Sequence, residues 1–372
     1  MSRVQDLFDK KLGFGLMRLP IAEGETVDEV QVCKMVDTFL ERGFKYFDTA
    51  YIYHGQQSES IIKRCLVDRY DRDKFYLATK MPIFLVREAR DYEDFFNRQL
   101  ERCGVEYFDL YLLHSMNEKT FHSTEDLGGF EYVKKLKEEG KAKHIGFSFH
   151  DTPEVLDEIL TKHPEMEFVQ LQINYYDWEN PKVQSRACYE VACKHNKPII
   201  IMEPIKGGSL INLPKEAKEH IATEYQGTPA SLAIRFAASP KEVMMVLSGM
   251  SDMAQLEENT SYMQDFKPLT EREIAVTDKV NEIIRAIPTI PCTGCKYCVD
   301  DCPQKINIPG IFAAYNQCQQ FGNGQPDKKA YEMRTKDGGK ASECLKCGLC
   351  EGHCPQHIRI REELVKMAEF FE

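Results

Sequence analysis

Residues 44–69 read F-K-Y-F-D-T-A-Y-I-Y-H-G-Q-Q-S-E-S-I-I-K-R-C-L-V-D-R. The first five form an apolar run closed by an acid, Asp48. A loop holding Tyr53 follows, and 58–69 then places apolar residues at helical spacing. This is one strand followed by one helix, and the unit recurs. Apolar runs lie at 11–16, 44–48, 75–80, 107–114, 144–149, 168–173, 198–202 and 243–247. Helical patterns lie at 27–42, 58–69, 92–103, 129–139, 153–161, 181–195, 229–238 and 252–263. Strands that alternate with helices pair in parallel. Eight such units in about 250 residues predict an α/β fold, the closed (β/α)8 TIM barrel. A doubly wound open sheet is the competing arrangement. The first strand–helix turn lacks a G-x-G-x-x-G phosphate loop, which weakens it.

The barrel reading gathers four polar residues. Asp48 closes the second strand, Tyr53 sits in the loop after it, Lys80 closes the third strand in L-A-T-K, and His114 closes the fourth in L-Y-L-L-H. Strand C-termini share one rim in such a barrel. Singly, each residue has an ordinary reading: a strand-end cap, a half-buried aromatic, a solvated rim charge, a satisfied core histidine. Together they predict one pocket.

Beyond residue 265 the pattern changes. One more helix is expected over 271–287, ended by Pro288 and Pro291, and the domain boundary is placed at 288. That gives a barrel domain over 1–287 and a smaller, mainly helical domain over 288–372. The second carries one signature twice. Cys292, Cys295, Cys298 and Cys302 stand as C-x2-C-x2-C-x3-C-P, and Cys344, Cys347, Cys350 and Cys354 repeat it 52 residues on. This spacing holds two [4Fe–4S] clusters in bacterial-type ferredoxins, with the fourth cysteine of each run serving the other cluster. One cluster is thus expected on Cys292, Cys295, Cys298 and Cys354, the other on Cys344, Cys347, Cys350 and Cys302. Structural zinc is the alternative, although zinc usually takes separated cysteine pairs. The region resembles helical dicluster ferredoxins, with helices expected at 308–320 and 360–371. Cys318 fits neither motif and reads as a small buried hydrophobe.

Composition narrows the partners. The 372 residues carry a formal net charge of −11, which argues against nucleic acid and anionic membranes. No apolar run reaches the ~18 residues of a membrane span. The start has no apolar signal segment. The five scattered cysteines, Cys33, Cys65, Cys103, Cys188 and Cys193, suit a reducing cytoplasm.

Residues 11–265 resemble the aldo/keto reductases. The resemblance rests on L-G-F-G-L-M-R-L-P, F-D-T-A-Y-I-Y-H-G with Ser58 and Glu59 downstream, A-T-K, and D-L-Y-L-L-H. It implies that Asp48, Tyr53, Lys80 and His114 are a catalytic tetrad. Tyr53 would give the proton, Lys80 would lower its pKa toward working pH, Asp48 would hold Lys80, and His114 would orient the substrate oxygen. It also implies an NADPH or NADH site. Ser148 in H-I-G-F-S-F-H and Gln172 in V-Q-L-Q-I-N-Y-Y fall on carboxamide-binding positions. Phe149 stands where asparagine is usual. Met202 replaces a ring-stacking tyrosine. Pro204, Lys206 and Gly208 belong to a P-I-K-G-G-S-L pyrophosphate loop. Ser248, Gln255, Glu258 and Asn259 fall on the adenosine-phosphate segment. The basic residues that often grip a 2′-phosphate are replaced by Gly249, Met250 and Gln255. Lys206 is then the nearest phosphate contact.

The expectation is an oxidoreductase for a small carbonyl or alcohol, whose clusters exchange electrons with a redox partner protein. Hydride carries two electrons and a cluster one. A flavin normally bridges that gap, and no flavin signature is present in the chain. Two competing readings are an electron-transfer subunit with the barrel as scaffold, and a plain reductase with structural clusters. The rim loops over 83–91 and 117–127 carry no readable substrate code.

Overall fold

The fourth strand shows why the sheet forms. Along Y-F-D-L-Y-L-L-H, Leu110 and Leu112 alternate with Tyr111 and Leu113, and all four are fully buried. The first pair packs with Tyr46, Ala78, Phe168 and Ile200 in an inner core. The second pair belongs to an outer core shared with helix residues such as Phe96 and Val133. A strand buried on both faces reads as a continuous apolar run, as parallel strands do. In the computed structural model, which describes residues 4–22, 26–299, 301–322 and 324–372, eight such strands close into a barrel. They are β1 (Leu12–Gly15), β2 (Tyr46–Asp48), β3 (Tyr76–Met81), β4 (Phe108–Met116), β5 (Ala142–Phe149), β6 (Phe168–Gln172), β7 (Ile199–Met202) and β8 (Val243–Ser248). All pairings are parallel and in sequence order, and β1 meets β8 with Leu12 opposite Val246.

Side chains two apart on a strand share a face. Tyr46, Ala78 and Leu112 point inward, so Asp48, Lys80 and His114 do too, each at the C-terminal end of its strand. The same parity turns Phe147 and Phe149 outward, into the outer core.

The helices depart from the expected outline where the sequence lacks a strong stop or start. The expected helix 58–69 is a short α-helix, Ser58–Ile62, followed by a π-turn, Lys63–Val67. Before it, His54, Gly55 and Gln56 all take positive φ, at 49°, 60° and 71°. The stretch 117–127 holds a helix, Glu118–Asp126, whose capping box joins Asn117 and Thr120. A helix over Lys215–Glu224 and another over Lys328–Thr335 were not anticipated. Among the described residues no helix is long and apolar enough to cross a membrane.

The chain divides into two compact units. One comprises Met1–Gly207 and Ala230–Ile274, the other Gly208–Pro229 and Ala275–Glu372. The second unit therefore begins before residue 288 and recruits a segment from between β7 and β8. Its core gathers Ile306, Ile311, Phe312, Tyr331, Leu364, Met367 and Phe371. The Tyr331 and Phe371 rings stack at 4.6 Å. Cys318 is buried there and accepts a hydrogen bond from the Asp327 amide at 3.4 Å.

Candidate active site and cysteine pockets

At the C-terminal rim the Lys80 ammonium is fully buried and has three oxygen partners. It donates to Asp48 Oδ1 at 2.5 Å, to the Thr49 carbonyl at 2.8 Å and to Tyr53 Oη at 3.4 Å. Asp48, Thr49 and Tyr53 thus compensate a charge that would otherwise be costly in the interior. Burial alone would lower the Lys80 pKa, but Asp48 and Tyr53 more than reverse this and hold the ammonium charged. His114 completes the group, with its ring 6.0 Å from that of Tyr53 and nearly perpendicular. Burial first, then the Lys80 charge and His150, keep the imidazole well below its ordinary pKa and therefore neutral. Its Nδ1 is buried with no hydrogen-bond partner among the described residues.

Tyr53 differs from expectation. Burial pushes the phenol up, and Lys80 only partly pulls it back against the charges of Asp48 and Glu203. The desolvation of a phenolate outweighs one ammonium at 3.4 Å. The phenol accordingly stays protonated at neutral pH, which is the form that can give a proton.

Behind Lys80 lies a second buried network. The Glu59 carboxylate, fully buried, accepts from Thr79 Oγ1 at 2.7 Å and from Gln99 Nε2 at 2.8 Å. Gln99 also donates to the Lys80 carbonyl at 3.0 Å and accepts from Tyr111 at 2.6 Å. Ser58 shares a 2.8 Å hydrogen bond with Thr49 and donates to the Leu16 carbonyl. The strand that presents Lys80 is thereby tied to the helix after Tyr53.

The residues expected to hold a dinucleotide are spread over the ends of β5 to β8. The Ser148 hydroxyl accepts from the Ser115 amide at 2.8 Å, and Ser115 takes φ +63° immediately after His114. Gln172 and Met202 face each other across β6 and β7. Gln172 donates to Asp177 Oδ2 at 3.2 Å. Lys206, expected at a phosphate, is instead bound to both Asp177 oxygens at 2.8 Å. Asp177 is fully buried, and Asn174 adds a third partner at 2.9 Å. This buried carboxylate was missed in the sequence, where nothing in Y-Y-D-W-E-N marks Asp177 as buried. Pro204 is buried. Gly207 and Gly208 take φ of +62° and +96°, which glycine alone adopts cheaply. Ser248 accepts from Asn259 at 3.0 Å, and Gln255 bridges the Ser251 amide and Asp252. Glu258 is half-buried on the same helix, Met253–Met263. Tyr175 and Trp178, in the loop after β6, pack on Phe236 in the barrel unit, and Trp178 also meets Tyr189.

In the second unit eight cysteines line two pockets. One pocket is bounded by Cys292, Cys295, Cys298 and Cys354. The other is bounded by Cys302, Cys344, Cys347 and Cys350. In each, one thiol is buried and one exposed. Ile308 forms part of both walls. The sequence repeat extends to the backbone. Gly294 and Lys346, Lys296 and Gly348, and Lys305 and His357 all take positive φ, and each pair is separated by the 52-residue offset of the cysteines. His353 pairs with Asp301 at 3.2 Å.

A model of the Aldo/keto reductase family matches residues 11–282, and a 4Fe-4S dicluster domain matches 291–358. A 9,11-endoperoxide prostaglandin H2 reductase of Trypanosoma cruzi is 27% identical over 279 residues, covering 73% of this chain and 88% of its own. An aldo-keto reductase of Bacillus halodurans, solved in its holo form, superposes with a TM-score of 0.58 at 22% identity, over 73% of this chain and 91% of that one. One from Klebsiella pneumoniae, solved with NADPH, gives 0.58 at 18% identity, over 73% and 90%.

Proposed function

This chain belongs to the aldo/keto reductase family of oxidoreductases and carries a 4Fe–4S dicluster domain, and from that premise we propose that it reduces a small carbonyl compound, or oxidises the matching alcohol, at Asp48, Tyr53, Lys80 and His114. NADPH or NADH, bound along Ser148, Gln172, Met202, Pro204, Lys206, Gly208, Ser248, Gln255, Glu258 and Asn259, supplies or accepts the hydride. The observation that carries the reading is the buried Lys80 ammonium, held by Asp48 at 2.5 Å and reaching Tyr53 Oη at 3.4 Å. In reduction, Tyr53 Oη gives its proton to the substrate oxygen. Lys80 then stabilises the phenolate left behind, and Asp48 keeps Lys80 charged and aimed. His114, neutral, orients the substrate oxygen through a ring nitrogen, and its unpartnered Nδ1 leaves a polar group to be satisfied at the site.

The two four-cysteine pockets support one [4Fe–4S] cluster each, with ligation crossed between the repeats. Such clusters move single electrons, which suits exchange with a redox partner protein and a reducing, cytoplasmic setting.

Replacing Tyr53 with Phe tests the first part. Carbonyl reduction should fall by roughly 10²–10⁴-fold with dinucleotide binding retained. Undiminished turnover would remove Tyr53 as the proton donor. For the second part, anaerobically purified protein should hold about eight iron and eight sulfide per chain. Zinc without sulfide would exclude the clusters.

A further inference from the structure

Arg18, in L-G-F-G-L-M-R-L-P at the end of the turn Leu16–Arg18, takes no part in the site as described so far. Its position is unusual for an exposed arginine. The stem lies on Gly249, where an added Cβ would meet Arg18 Cβ, Cγ and Cδ at 3.2–3.4 Å. The head lies at Gly207, where an added Cβ would meet an Arg18 guanidinium nitrogen at 3.3 Å. One side chain thus spans the glycine turns that follow β7 and β8, and a larger residue at either turn would displace it. The backbone is fastened as well. Ser251 donates to the Arg18 carbonyl at 2.9 Å, and the Leu19 amide donates to His54 Nε2 at 3.1 Å. The loop is therefore tied both to the turn after β8 and to the residue after Tyr53. Among the described residues no carboxylate forms an ion pair with Arg18. A Glu203 carboxylate oxygen lies 3.5 Å from the same Cβ position at Gly207.

We propose that Arg18 grips the pyrophosphate of the bound dinucleotide. The inference rests on the dinucleotide reading above and adds to it the cation that the sequence left missing. Lys206 is neutralised by Asp177, and Gly249, Met250 and Gln255 bring no charge. A guanidinium offers a planar fork that matches phosphate oxygens in pairs. Its head faces the β7 turn rather than the β8 segment, so it serves the pyrophosphate common to NADH and NADPH, not the 2′-phosphate that separates them. Through Leu19 and His54 the same contact steadies the turn that carries Tyr53.

The test is equilibrium titration of the full chain, purified anaerobically, with NADPH, NADH and adenosine 2′-monophosphate. Arg18→Ala should weaken NADPH and NADH alike, by roughly 10- to 100-fold, and leave adenosine 2′-monophosphate within about twofold. Arg18→Lys should recover part of the loss, and Glu203→Gln should tighten both dinucleotides. Unfolding followed by Trp178 fluorescence should be unchanged in Arg18→Ala, which separates lost binding from lost structure. Unaltered dinucleotide affinity in Arg18→Ala would overturn the proposal. So would a loss confined to NADPH and adenosine 2′-monophosphate, which would place the guanidinium at the 2′-phosphate. If the unaltered protein binds neither dinucleotide, the carbonyl-reductase reading fails first and this inference falls with it.

Discussion

Tyr53 sits between an ammonium that favours its ionised form and a buried setting that opposes it, and the burial prevails. The two directions of the reaction should then respond differently to pH. The proton donor is fully present below its raised pKa, so reduction should lose nothing to Tyr53 ionisation between about pH 6 and 9. Alcohol oxidation needs the phenolate and should still be climbing at about pH 9. Steady-state rates in both directions check this, and an oxidation rate that levels off near neutrality would show a lowered phenol pKa. His114 gives a second test. The folded imidazole stays neutral, whereas the unfolded chain takes up a proton near the ordinary value of 6.5. The unfolded state binds more protons, so stability falls as pH drops below that value. His114→Gln should flatten this dependence by up to about 1.4 kcal/mol per pH unit. Urea unfolding at two pH values, followed through Trp178, the chain's sole tryptophan, measures it, and equal slopes would deny His114 a part.

At the scale of elements, β3 is held in place by a helix that reaches it through Glu59. Glu59→Ala removes an acceptor shared by Thr79 and Gln99; the buried Thr79 hydroxyl is left unmet, while Gln99 keeps the Lys80 carbonyl and Thr79 Oγ1 as acceptors. It should cost about 2–4 kcal/mol, with a larger loss in turnover than Glu59→Gln because the carbonyl of Lys80 shares Gln99. Chemical unfolding and kcat together read both effects. The strands and their inward residues were legible because alternation on a doubly buried strand leaves little choice of face: Asp48, Lys80 and His114 follow from Tyr46, Ala78 and Leu112. The π-turn at Lys63–Val67 and the left-handed run at His54–Gln56 were not. Only Gly55 marks that run in the sequence, and the flanking His54 is held by the Leu19 amide. That partner lies 35 residues away, beyond any local pattern. Asp177 was hidden for a similar reason, since its burial depends on Lys206 arriving from the β7 turn. The upward shift of Tyr53 was equally invisible, because residue types specify the charges but not how much water they lose.

For the molecule as a whole, the cysteine spacing foretold which side chains share a pocket better than where the second unit begins. A periodic cysteine motif states its own partners, while a compact unit is defined by packing over long separations. The segment Gly208–Pro229 belongs to the second unit and buries Leu210, Leu213, Ala217 and Ile221. A chain ending at Ile274 would lack the rest of that unit. It should expose this segment, bind a hydrophobic dye and aggregate, and light scattering beside the full chain measures the difference. A monodisperse truncated protein would show that the segment is stable without residues 275–372. The polypeptide crosses the border between the units three times, after Gly207, Pro229 and Ile274. During synthesis, then, β8 can complete the barrel while the 22 residues just before Ala230 still await partners that the ribosome has yet to make. The cysteine-bearing part is therefore not joined to the rest of the chain by a single linker, and burial of an internal stretch, Gly208–Pro229, belongs to the same assembly as the core around its cysteines.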